Sequence, residues 1–243
     1  MTTRTISTSP LVGVWDEPDG LAPRGTVVVL TGRGETPLSY QRFGRRLAAD
    51  AYRVRVVGVD LDDLETARKE ARTLLGDDDL PAPKVLVGSD SGAAYAARLA
   101  DELDLVDGVV LAGLALPGSA VVGRWEDELE ARTACPAHRR VIGGDDGFAR
   151  GQLARPVPSD WVVHAPAKPS LVLHGSADPV TPSAAAFAPF LDVETARLRI
   201  VAGGRHDVLN DVSHRSVAAT VVLFLESLRL GGELPAIVGD VQG

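Results

Sequence analysis

The chain has 243 residues, enough for one sizeable core, and its apolar runs are spread too evenly to suggest a second domain. Asp and Glu outnumber Lys and Arg, 33 to 25, giving a net charge of −8 with no basic run, which excludes roles that rest on attracting phosphate backbones. The single cysteine, Cys135, excludes an internal disulfide, and no Cys/His cluster has zinc spacing.

The start, Met1-Thr2-Thr3-Arg4-Thr5, opens a polar segment without an apolar h-region, and no later run reaches the length of a membrane span. The expected location is the cytoplasm. Thr26 to Leu30 is a β-branched run between glycine-rich turns, and Arg53 to Asp60 is another. Between them Tyr40 to Ala51 carries Phe43, Leu47, Ala48 and Ala51 at helical spacing. The alternation continues with a helix at Leu64–Leu75, a strand at Val85–Gly88, a helix at Gly92–Leu103 and a strand at Gly108–Leu116. Strands alternating with helices predict an α/β fold, with a mostly parallel central sheet covered on both faces.

Leu116-Pro117-Gly118 breaks this rhythm, and the next comparable strand is Ser170–Gly175. The segment between, 117–168, is too long for an ordinary connection and reads as a lid inserted into one domain spanning 1–243. It holds a short acidic helix, Trp125 to Arg132, followed by irregular Gly143-Gly144-Asp145-Asp146-Gly147. The core resumes with a helix around Ser183–Phe190, a strand Arg197–Val201 and a long amphipathic helix from about Asp207 to Leu228. Residues Gly231–Gly243 read as a loosely docked tail.

Three strand ends carry chemistry. Gly88-Ser89-Asp90-Ser91-Gly92 joins a buried strand to a helix through a sharp turn, a nucleophile elbow with Asp90 at its tip. The flanking glycines suit such a turn because a larger neighbour would collide across it. Gly175-Ser176-Ala177-Asp178, with Pro182 close behind, follows a later strand, and Gly203-Gly204-Arg205-His206 follows the last. In this order of nucleophile, acid and histidine the chain resembles the α/β-hydrolase superfamily over roughly Gly25 to Leu228. The resemblance implies that Asp178 orients His206. It also implies an oxyanion hole in Leu30-Thr31-Gly32-Arg33-Gly34, formed by the amides of Arg33 and of Ser91, with Thr31 where the family commonly has histidine.

A carboxylate at the elbow is already ionised near neutrality and can attack an sp³ carbon directly, giving an ester that His206 then hydrolyses with water. That logic resembles epoxide hydrolases and haloalkane dehalogenases. The chain departs from both, because Ser91 stands where dehalogenases often place a tryptophan, and Tyr40, Tyr52 and Tyr95 all lie outside the lid. Shifting the register would make Ser91 or Ser89 the nucleophile, and ester, lactone or thioester hydrolysis stays open through Ser91 or through Asp90 acting as a base. Within the lid, Trp125, His138 and Trp161 are candidates to line a pocket, expected to be mainly hydrophobic.

Each of these residues also has a plainer reading. Asp90 can be a helix-capping acid on a non-catalytic ligand-binding scaffold, Asp178 a turn residue before proline, and Asp207 the partner of His206 in place of Asp178. His174 reads as a packed structural residue, His164 and His214 as surface or helix-face residues, Cys135 as a buried small hydrophobe, and Asp77-Asp78-Asp79 as a solvated loop. The leading expectation is a hydrolase of a small organic molecule that works without cofactor or metal. Neither nucleic acid nor membrane is expected as a partner, and a homodimer stays open.

Overall fold

The computed structural model describes residues 13–239, so the polar start and the last four residues of the tail lie outside it. Its strands are β1 (Val14–Trp15), β2 (Gly25–Leu30), β3 (Tyr52–Val57), β4 (Lys84–Ser89), β5 (Gly108–Ala112), β6 (Ser170–Gly175) and β7 (Ala196–Val201). They form a single sheet in the order β1-β3-β2-β4-β5-β6-β7. All pairs are parallel except β1 with β3. The helices are α1 (Gln41–Ala49), α2 (Leu64–Leu75), α3 (Ser91–Glu102), α4 (Trp125–Arg132), α5 (Pro136–Gly143), α6 (Ser183–Phe187) and α7 (His214–Leu230).

The period-2 geometry of a strand divides the core into two layers. Val28 and Leu30 of β2, with Leu86, Val109, Leu111 and Val172, face the small residues of α2 and α3. Val27 and Val29, with Val85, Val87, Val110 and Leu171, face Phe43 and Leu47 of α1 and Val217, Val221 and Leu225 of α7. Every residue of β2, β5 and β6 is buried, as a sheet covered on both sides requires. Each fully buried Val or Leu contributes roughly 1.5–3 kcal/mol of transfer free energy.

Several boundaries differ from the sequence expectation. Strand β5 ends at Ala112, because Gly113 turns the chain at φ 54° with its α-carbon side packed on the His206 carbonyl. Helix α7 begins at His214 and not near Asp207, because 207–213 is spent on tethering: Asp211 accepts hydrogen bonds from Arg205 N, Thr133 Oγ1 and Ala134 N. Within its described part the tail is docked, with Leu234 buried against the α7 layer and Arg197 donating to the carbonyls of Glu233 and Leu234. The segment 117–168 contains α4 and a second helix, α5, that the sequence reading did not separate from the loops. Its later part is core, since Val157 and Trp161 are buried under α3 and the Trp161 ring stacks on Tyr95 at 5.8 Å.

Among the described residues no helix is long and apolar enough to cross a membrane, and no group of three or more His, Cys, Asp or Glu side chains is placed to hold a metal ion.

Candidate active site

Asp90 sits at the end of β4 with φ 53° and ψ −122°, one of three described non-glycine residues with positive φ. A side chain costs free energy there, so the conformation persists only where the surroundings impose it. They do. A Cβ on Gly88 would lie 2.2 Å from the Gly92 carbonyl oxygen, and one on Gly92 would lie 2.4 Å from that of Leu30. The turn therefore admits only glycine on either side, and Asp90 projects from the carboxyl edge of the sheet.

The loops after β6 and β7 arrive at the same edge. Asp178 accepts from the amides of Val180 and Thr181 through Oδ1, an arrangement that aims Oδ2 away from the turn. That oxygen lies 2.8 Å from His206 Nδ1, and His206 Nε2 lies 2.9 Å from Asp90 Oδ1. Gly175 and Gly204 make the convergence sterically feasible, because a Cβ on Gly175 would lie 2.1 Å from the Gly204 carbonyl oxygen. The His206 main chain is fixed from the insertion, with its amide donating to Ala131 and the next amide to Arg132.

Ser91 Oγ is buried without a hydrogen-bond partner, and the imidazole faces Asp90 in its stead. Asp207 pairs with His138 at 2.7 Å and not with His206. His174 Nε2 approaches the same Asp178 oxygen at 2.8 Å and also the Thr181 carbonyl, so Asp178 holds two histidines at once. Trp125 is not brought into this cluster; its ring packs on Phe148 at 5.6 Å and under the Arg150 guanidinium at 4.9 Å.

The family resemblance implies only a main-chain role for Arg33. Its amide does point at Asp90 Oδ2, at 2.8 Å. The side chain adds a clamp that nothing in the motif foretold: Nε donates to Oδ2 at 2.8 Å and Nη2 to Oδ1 at 2.6 Å. Nη1 continues to the carbonyls of Ser119 and Arg155, both within the insertion. Gly32 lets the loop come this close, because a Cβ there would meet Asp90 Cβ at 2.8 Å. Thr31 secures the loop from the other side, its Oγ1 accepting from Val59 N.

Below the loop lies a second buried charged network. Glu35 accepts from Gly32 N, Tyr40 and Arg132, while Arg132 also donates to Glu128 and to the Arg33 carbonyl. Burial and the charge of Asp207 raise the Glu35 carboxyl, against Arg132 and Tyr40. A polar residue in a helix has no periodic signature of such burial, so Arg132 and Glu128 read as surface residues until the fold is known.

The electrostatics of the cluster follow from its charges. Burial opposes ionisation of Asp90, but the Arg33 guanidinium and His206 outweigh it and hold the carboxyl well below its usual range. Asp178 is lowered likewise, with burial overcome by His206 and His174. Burial alone would lower His206; Asp178 and then Asp90 overcome it and push the imidazole up to about 10. At neutral pH the resting site is a guanidinium, a carboxylate, an imidazolium and a second carboxylate in contact.

The site is also closed. Arg33, Asp90, Ser91 and His206 are each at most 2 % exposed, so the expected hydrophobic pocket over Asp90 is not open in this conformation. A cavity of about 550 Å³ lies elsewhere, between α3 and residues 160–164, and neither Asp90 nor His206 lines it. A smaller one, about 320 Å³, is lined by Arg33, Val59, Asp60, Gly147, Gln152 and Arg155 among others.

No protein-family model matches the chain, and no curated protein matches its sequence. Solved structures do match. A soluble variant of monoglyceride lipase from Saccharomyces cerevisiae superposes with a TM-score of 0.70 at 15% identity, covering 88% of this chain and 90% of the lipase. The monoacylglycerol lipase of Paleococcus ferrophilus gives 0.68 at 19% identity over 88% and 97% of the two chains. An esterase from a Rhodococcus species gives 0.58 at 20% identity over 89% and 98%. The chain has the α/β-hydrolase fold. Likeness at these identities speaks for the scaffold, and within an α/β-hydrolase scaffold function is argued from the site.

Proposed function

We propose that the protein is a cofactor-independent hydrolase of a small organic substrate, with Asp90 as nucleophile and His206, oriented by Asp178, activating water. The observation that carries this reading is the relay from Asp90 Oδ1 through His206 to Asp178, with contacts of 2.9 and 2.8 Å. The two Asp90 oxygens are differentiated, since Oδ1 faces the imidazole and Oδ2 faces the Arg33 amide. In an epoxide opening, Oδ1 forms a bond to carbon as the carbon–oxygen bond breaks, and the His206 Nε2 proton goes to the departing oxygen. The ester removes the Asp90 charge, the second of the two anions that raise the imidazole, so His206 holds a proton less tightly than in the resting site and, having given one up, can act as a base.

His206 then takes a proton from water as hydroxide adds to Asp90 Cγ. The negative charge develops on Oδ2, where the Arg33 N–H donates. Collapse breaks the bond from Cγ to Oδ1, His206 gives its proton to the leaving oxygen, and the new carboxyl returns one to the imidazole, releasing the product alcohol with that oxygen and restoring the Asp90 carboxylate. A single turnover in heavy-oxygen water therefore places the label in Asp90 and not in the product, read by peptide mass spectrometry. Label in the product and none in Asp90 would refute the route. The lipases and esterase that share the fold support the wider class of ester-type hydrolysis, which the same carboxylate serves through a short-lived acyl adduct.

One observation favours a second reading. A carboxylate offers about four acceptor sites, and Asp90 uses four: Arg33 N and Nε on Oδ2, and Arg33 Nη2 and His206 Nε2 on Oδ1. A carboxylate so saturated suits a scaffold that binds without turnover. That reading predicts no labelling and no adduct across epoxides, haloalkanes and esters.

A further inference from the structure

The saturation of Asp90 constrains what can approach it. A substrate carbon that reaches Oδ1 competes there with both of its donors, Arg33 Nη2 and His206 Nε2. A guanidinium that is 2 % exposed and stripped of its carboxylate is a buried, uncompensated charge, so an apolar substrate would have to bear that penalty alone. A substrate with its own planar oxyanion removes the problem, because a carboxylate matches the fork with two parallel hydrogen bonds.

The 320 Å³ cavity supplies the space. It lies between the loop after β3, residues 59–62, and insertion residues 147–155, and Arg33 belongs both to its lining and to the Asp90 clamp. The acids around it are already engaged: Glu35 with Arg132, Asp62 with Arg155, and Asp60 Oδ1 with the Asp62 amide. Arg33 Nη1 is anchored to Ser119 and Arg155 by carbonyls, which leaves Nε and Nη2 as the edge that changes partner.

We propose that this cavity is the substrate site and that it takes short carboxylic acids with an electrophilic carbon beside the carboxylate, which draws the Arg33 fork from Asp90 onto itself. As a statement about substrate this rests on Asp90 being the nucleophile; as a statement about anion binding it does not. The exchange couples recognition to activation: the group that is recognised is the one that uncovers Oδ1. A neutral analogue of equal size leaves the clamp shut.

The test separates the two parts. Propionate and propionamide are titrated by calorimetry into the wild type and into Asp90→Asn, which keeps the side-chain shape and removes the competing charge. Propionate is expected to bind at least tenfold tighter to Asp90→Asn than to the wild type, with propionamide unchanged, and the gain is expected to vanish in Arg33→Met/Asp90→Asn. Equal binding of the two compounds, or a gain that survives loss of Arg33, overturns the proposal. Should the variants fail to fold, the Arg33 Nε resonance of the wild type serves instead: it shifts with propionate and not with propionamide if the fork changes partner, and stays fixed with both if it does not. The chemical arm incubates His206→Gln with 2-chloropropionate or 2-chloropropionamide and maps adducts to Asp90. Preferential labelling by the acid supports the substrate class, and equal or faster labelling by the amide overturns it while leaving Asp90 as nucleophile. Tight propionate binding with no adduct from either keeps the anion site and removes the nucleophilic role.

Discussion

Arg33 and Asp90 are joined three times, through one main-chain amide and two guanidinium nitrogens at 2.6–2.8 Å, with both side chains 1% exposed. The pair ties the end of β2 to the end of β4. Through Nη1 it also ties both to the insertion.

Arg33→Met is expected to destabilise the protein by about 3–5 kcal/mol, because it leaves a buried carboxylate without its main counter-charge. Adding Asp90→Asn in the same chain should recover much of that loss, since no unpaired charge then remains. A double-mutant cycle by urea denaturation checks this, and simple additivity of the two losses would contradict the clamp.

His206 is held at about 10, so its Cε1–H proton resonance should titrate far above the range of a free histidine. A folded value above the unfolded one contributes stability that is complete below about pH 6.5 and is lost as pH rises toward 10. Asp90 and Asp178 are shifted the other way, so their contribution is present above about pH 4 and fades as pH falls. Stability should therefore be greatest between about pH 4 and 6.5. In Asp90→Asn the His206 titration should move down, because one of the two anions that raise it is gone; an unchanged midpoint in the NMR titration would contradict the contact.

Gly88→Ala places a methyl group 2.2 Å from the Gly92 carbonyl oxygen and 2.4 Å from Ala93 Cα, both main-chain atoms that cannot rotate away. The elbow must then open. A loss of about 1–3 kcal/mol or more is expected, together with loss of whatever activity the wild type shows. Thermal unfolding and a turnover assay check the two together.

Leu234→Ala tests the docking of the tail. Leu234 is 4 % exposed against the α7 layer, on the side of the sheet away from α3, and its truncation should cost about 2 kcal/mol. Activity per folded molecule should be unaffected, measured by turnover at a temperature where the variant stays folded.

Much of the scaffold was legible because its signals are local. β6 falls at Ser170–Gly175 and α2 at Leu64–Leu75, where the apolar pattern put them. The short edge strand β1 was not, since two residues show no period. Helix α7 begins seven residues later than its pattern suggests, because Asp207 and Asp211 are used for long-range contacts with His138 and with the turn between α4 and α5. Asp90, Asp178 and His206 could be named as candidates from glycine spacing and chain order, whereas the company they keep could not.

The sequence by itself determined the sheet, the elbow and the order of the three strand-end residues, because strand period, glycine geometry and chain order act over a few neighbours at a time. Only the tertiary structure decided that Asp178 faces His206 while Asp207 faces His138, that Ser91 is left without a partner, and that Arg33 turns its side chain onto Asp90. Those outcomes depend on distances between loops 28 to 116 residues apart and on which charge can neutralise another out of water, and neither quantity is written in any local stretch of the chain.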